Sequence, residues 1–160
     1  MKSVKLMLFF LTMLQCSLTT ASEYAIGDHL TELALADQFE QPIVVDSKTR
    51  WILFSRSMDG AEVARTALEG MTTAQLQQLG LVYVADVSGM PSLILKFVAQ
   101  PKMQELSYVI ALDKEGEATK FYPAAKGTAA LLDVDAMQVT QIRYFDKAEA
   151  LKYVLTELMK

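Results

Sequence analysis

RWILFSRSMDGAEVARTAL, residues 50–68, changes its hydrophobic period half-way along, and the kind of fold follows from that change. Trp51, Ile52, Leu53 and Phe54 are apolar at consecutive positions, the pattern of an interior strand covered on both faces. Val63, Ala64, Ala67, Leu68 and Met71 then fall at i, i+1, i+4, i+5 and i+8, one face of a helix. Between the two lies a polar joint, 55–60 (SRSMDG), at the carboxyl end of a strand, where open α/β proteins usually place ligands and chemistry.

Downstream, Gly70 and the pair Thr72, Thr73 break the helix before a second short helical stretch that Gly80 stops. Residues 81–87 (LVYVADV) read as the next buried strand, so the unit is a right-handed βαβ crossover with parallel strands. After a loop at Ser88, Gly89 and Met90, Pro91 stands as a first helical residue, and 92–99 (SLILKFVA) form an apolar helix that Pro101 ends. Two strand–turn–strand units follow: 106–112, 113–116 and 118–122, then 128–132, 133–136 and 138–145. Asp146 opens a last helix, with Ala150, Leu151, Val154, Leu155 and Leu158 as its apolar stripe. Upstream, 31–36 (TELALA), a turn at 37–41 and 42–45 (PIVV) make a hairpin at a sheet edge, where Pro42 is tolerated because it lacks a ladder donor. The class is α/β, with parallel and antiparallel strands in one central sheet.

The start of the chain is of a different kind. Lys2 and Lys5 precede the apolar run 6–14 (LMLFFLTML) and a small-residue segment ending at Ala21, a secretory signal peptide with cleavage after Ala21. Its apolar run falls short of the roughly 20 residues that span a bilayer. Gln15, before Cys16, occupies a place where a lipid-attachment site needs a small residue. Residues 22–160 are then a single domain with enough chain for one core. Two lysines leave with the leader, which takes the net charge from −4 to −6, and an acidic domain without a basic cluster is a poor partner for nucleic acid or anionic lipid.

Cys16 is the only cysteine, so the processed chain carries no thiol. Disulfide exchange and thiol peroxide chemistry both require a thiolate and are excluded on composition. With His29 the only histidine, neither a Cys-based nor a His-based zinc site can be assembled, and no metal site is expected. No glycine-rich phosphate loop and no haem-attachment motif is present, so no cofactor is expected either.

The order of elements resembles the thioredoxin fold, in the variety of the secreted TlpA/ResA-like and peroxiredoxin-like proteins, and the small secreted YtfJ-like proteins look closer still. Gly27-Asp28 and Asp37-Gln38 stand where those proteins carry a Gly-Asp opening and an Asp-Gln turn before a hairpin. Where the redox members carry Cys-x-x-Cys this sequence has Asp59-Gly60-Ala61-Glu62, and the place of their cis-proline falls on Gly127. The resemblance therefore implies the fold, a three-layer sandwich with an amino-terminal hairpin in a mixed sheet and helices on both of its faces, without its redox activity.

Four groups of residues invite a functional reading. Asp59 and Glu62, with Arg56 and Arg65 near, could be paired carboxylates of a hydrolase or isomerase, but the same spacing makes a capping box, which Asp146 and Glu149 repeat. Ser55 and Ser57 lack a base, because His29 lies far away in an exposed opening segment. Asp133 and Asp135 have too few companions for a calcium loop and read as a turn, as does the 113–116 stretch, with Gly116 supplying a positive φ. Met90, Leu93, Ile94, Leu95, Phe97, Val98 and Met103 belong to a helix apolar almost all round, which is either core or partly offered to a partner. The candidate binding surface is thus Arg56, Ser57, Met58, Asp59 and Glu62 at the joint with Met90, Leu93, Ile94, Phe97 and Met103 beside it, for another exported protein or a second copy of the chain.

Overall fold

The computed structural model describes residues 22–160; the leader, its cleavage point after Ala21 and Cys16 lie outside the described residues. Seven strands form one mixed sheet in the order β2-β1-β5-β4-β3-β6-β7. β3 (Trp51–Ser55) and β4 (Leu81–Asp86) pair in parallel, Trp51 opposite Leu81 and Ser55 opposite Ala85. They are joined through α1 (Met58–Ala67) and α2 (Thr73–Leu79), as the change of period requires. Thr72 and Gln75 close a capping box on α2, and Gly80, in the left-handed region, ends it. The amino-terminal hairpin pairs β1 (Leu33–Ala36) with β2 (Pro42–Val45) at one sheet edge. β1 starts two residues later than the pattern suggests, because the preceding segment is drawn to the far side of the sheet: Leu30 N–H donates to the Met137 carbonyl at 2.7 Å.

The region after β4 departs most from the sequence reading. The helix over 92–104 does not stop at Pro101 but runs as α3 (Ser92–Ile94), a π-helical turn (Leu95–Ala99) and α4 (Gln100–Gln104). Proline lacks an N–H and crowds the carbonyl four residues back, and the turn that precedes Gln100-Pro101 takes the wider π form. The strand expected over 106–112 shrinks to β5 (Ala111–Asp113), and 118–122 form no strand. Both losses have one cause, side chains that take the backbone groups a strand partner would have used. The buried Gln38 amide donates to the Tyr108 carbonyl at 2.8 Å and accepts from Ile110 N–H at 2.9 Å. The buried Asp113 carboxylate accepts from the N–H groups of Gly116 and Thr119, both at 2.8 Å, and from the Thr119 hydroxyl.

β6 (Ala129–Asp135) and β7 (Gln138–Phe145) form the last hairpin. Its turn is Ala136-Met137, both at positive φ, rather than 133–136; Asp133 stays in the strand and pairs with Arg143 at 2.7 Å. α5 (Ala148–Leu158) begins past Asp146, with Lys147 at its N-cap and no side-chain cap, so the second expected capping box does not form.

The sheet separates two clusters. One holds Leu53, Tyr83 and Leu131 from the strands with Val63, Leu76, Leu95, Leu151 and Leu155 from the helices. The other gathers Ile52, Phe54, Val84 and Leu132 under Leu30, Met137 and Tyr122. The layer over that second face, expected to be helical as well, is instead the irregular chain over 114–128 and the opening segment, with the Tyr122 ring 5.2 Å from that of Phe54.

Candidate functional site

α1 starts at the carboxyl end of β3, and its first turn is fixed by close packing. Ser57, extended at φ −109° and ψ 157°, is the N-cap and accepts from Gly60 N–H at 3.1 Å. The cap is therefore not Asp59, and the Asp59–Glu62 capping box is corrected: Asp59 lies exposed inside the first turn. Gly60 seats the helix directly on the backbone of Thr128, where a Cβ would collide with the carbonyl oxygen. A Cβ on Gly127 would lie 3.8 Å from Asp59 Oδ2. Asp59-Gly60 and Gly127, the positions that the resemblance sets against the Cys-x-x-Cys and cis-proline of the redox members, thus meet in space.

The chemistry available there is modest. Glu62 forms a two-pronged ion pair with Arg65 one turn along the same helix, and those hydrogen bonds hold its carboxyl below the ordinary value. Such a group stays ionised at neutral pH and has no proton to give. Arg56 is taken up structurally: Nε donates to Asp86 Oδ2 at 2.9 Å and Nη2 to the Thr119 carbonyl at 2.6 Å, with the guanidinium over the Phe54 ring. Ser55 is buried, its hydroxyl 2.9 Å from that of Tyr83. Burial pushes Tyr83 up to about 12, so it is no base at neutral pH. His29 is exposed and bridges Gln138 of β7, remote from the joint. Among the described residues no three His, Cys, Asp or Glu side chains gather closely enough to hold a metal ion.

The helical segment over 92–104 divides sharply by face. Leu95 is buried, and Met90, Ala99 and Met103 pack partly buried against the same cluster, so two of the candidate surface residues, Met90 and Met103, turn inward. Leu93 (68%), Phe97 (66%), Ile94 (48%) and Val98 (45%) stand out on the other side, and Met58 is 73% exposed at the start of α1. Met58 and the 92–98 segment follow adjacent parallel strands and so rise from the same edge of the sheet. Along the flank of this helix lies a cavity of about 480 Å³, with Met90, Leu95 and Pro101 as its apolar part and Lys96, Gln100 and Lys114 among its polar groups.

The fold is thioredoxin-like. A putative protein disulfide isomerase from Bacteroides thetaiotaomicron superposes with a TM-score of 0.57 at 13% identity, over 84% of this chain and 87% of that one. A putative thiol:disulfide interchange protein DsbE from Chlorobium tepidum matches with a TM-score of 0.56 at 19% identity, over 86% of this chain and all of its own. The peroxidoxin BcpB from Mycobacterium tuberculosis matches at 0.55 and 11% identity, over 84% and 95%. At these identities the likeness is one of architecture. No protein-family model matches the sequence, and no curated protein matches it.

Sequence reasoning missed Gln38 as a hub. Its side chain also donates to the Met103 carbonyl, and its own carbonyl accepts from the amides of Gln100 and Gln104, so one turn residue fixes the segment that carries the exposed stripe. The signal for it was the Asp37-Gln38 pair, which the resemblance flagged without a role.

Proposed function

We propose that this is an exported thioredoxin-like domain that has no redox cysteine pair and works as a docking module for another exported protein. The observation that carries the reading is the stripe Leu93, Ile94, Phe97 and Val98, four large apolar side chains left uncovered at the end of the sheet where α1 also starts. Scattered apolar residues are ordinary on a surface, whereas four on one short helix have the marks of an interaction site. The proteins it resembles are named for disulfide interchange, isomerisation or peroxide chemistry, and that chemistry needs a thiolate, for which residues 22–160 offer no cysteine. Export rests on the leader pattern, and among the described residues no helix is long and apolar enough to cross a membrane. The alternative, a carboxylate enzyme at Asp59 and Glu62, draws no support from an exposed Glu62 held ionised by its own helix neighbour.

A photoreactive residue at Phe97 is expected to capture a discrete protein partner in the exported compartment, and the same residue at the exposed Tyr144 on β7, the opposite sheet edge, to capture none. A processed protein that starts at Ser22, stays monomeric and crosslinks to nothing from Phe97 would overturn the reading.

A further inference from the structure

The charge around the stripe restricts what can cover it. From residue 87 to residue 104 the chain contains no acid and two lysines, Lys96 and Lys102, although acidic residues outnumber basic ones 19 to 15 in the whole. Neither lysine belongs to an ion pair among the described residues, and in this they are like Lys48, Arg50, Lys126, Lys147 and Lys152. Lys96 Nζ lies 5.5 Å from the centre of the Phe97 ring, so an unpaired cation sits at the edge of the stripe's largest side chain. Lys96 and Lys102 stand exposed on the same helical segment as the row 93, 94, 97 and 98. Glu105 follows Lys102 by three residues, and Glu40 and Glu115 line the cavity with Lys96; Glu40 is occupied by Lys114 at 2.7 Å and by Gln100.

We infer that the stripe docks an amphipathic protein segment whose apolar face is edged by carboxylates, which meet Lys96 and Lys102. This rests on the docking reading above and specifies the partner's chemistry. An anionic membrane fits less well, since two lysines give little attraction and the domain's net charge of −6 without its leader opposes it. A second copy brings the same two lysines to a symmetric contact and loses the complementarity.

The test uses the processed chain from its own compartment, two synthetic helical peptides with one Leu/Phe face, edged with Glu or with Lys, and phosphatidylglycerol vesicles. The Glu-edged peptide is expected to bind, the double variant K96E/K102E to lose about tenfold in affinity for it and to gain affinity for the Lys-edged peptide, and K96R/K102R to bind like the parent. F97S, on an exposed site, is expected to lose binding while keeping its denaturation midpoint. Equal binding of both peptides, or preference for the vesicles, overturns the inference. If neither peptide binds while Phe97 still crosslinks a partner, the carboxylate-edged partner is wrong and docking stands; if the crosslink is absent too, both fall.

Discussion

Gly60 has a duty that its place in a helix hides. Replacing a helical glycine by alanine ordinarily stabilises by up to about 1 kcal/mol, but here the new methyl group would run into the Thr128 carbonyl and force α1 away from the strand it rests on. Gly60→Ala is therefore expected to destabilise by about 1–3 kcal/mol, the usual range for overpacking, as a lowered urea midpoint. A raised midpoint would mean that α1 does not sit on Thr128. Gln38 is the second such position, fully buried and bonded by its side chain to Met103, Tyr108 and Ile110. Gln38→Leu keeps much of the volume but leaves those backbone groups without partners, at about 1–3 kcal/mol for each unsatisfied group that water does not reach. The expected result is a loss of about 3 kcal/mol together with faster amide exchange at Ile110. Unchanged exchange there would show that another group replaces the amide.

Secondary elements show where the sequence is informative and where it stops. The parallel pair over 51–55 and 81–86, the first hairpin and the β6–β7 pair are legible because each carries its own periodicity, although the β6–β7 turn falls at Ala136-Met137 and not at 133–136. Residues 106–122 were misread for a different reason: apolar alternation shows that a segment can be a strand, but not that distant Gln38 and nearby Asp113 have already claimed its hydrogen bonds. The start of α1 failed similarly. Ser57 and Asp59 can both cap, and the choice follows from how closely Gly60 approaches Thr128, a contact between residues far apart in the chain. Ser57→Ala is accordingly expected to cost about 1 kcal/mol and Asp59→Asn less than about 0.5 kcal/mol, measured by chemical denaturation. The reverse order would restore Asp59 as the cap. Exposure along the 92–104 helix is only half legible. Both rows of the 92–104 helix are apolar, so periodicity could not tell Leu95 and Met103, which pack inward, from Leu93 and Phe97, which do not.

The two faces of the sheet share one vulnerability, a tyrosine hydroxyl buried in each cluster. Tyr83 and Tyr108 lie on the helical side and Tyr122 on the other, and burial raises all three above the ordinary value of 10.0. Tyr83 reaches about 12 despite the Ser55 hydrogen bond, which acts the other way, while the hydroxyls of Tyr108 and Tyr122 have no partner. Below about pH 10 all three are neutral folded or unfolded, and stability does not depend on them. Above it the unfolded chain releases protons that the folded chain retains, so stability falls as pH rises through the folded values. Tyr83 alone accounts for roughly 2–3 kcal/mol of that fall by about pH 12. Urea midpoints are expected to be flat up to about pH 9.5 and then to drop. Tyr83→Phe should make the drop shallower while costing about 1 kcal/mol at neutral pH for the lost Ser55 bond. An equally steep drop in Tyr83→Phe would assign the alkaline sensitivity to other groups, and tyrosinate absorbance appearing before unfolding would show that water reaches these rings in the folded state.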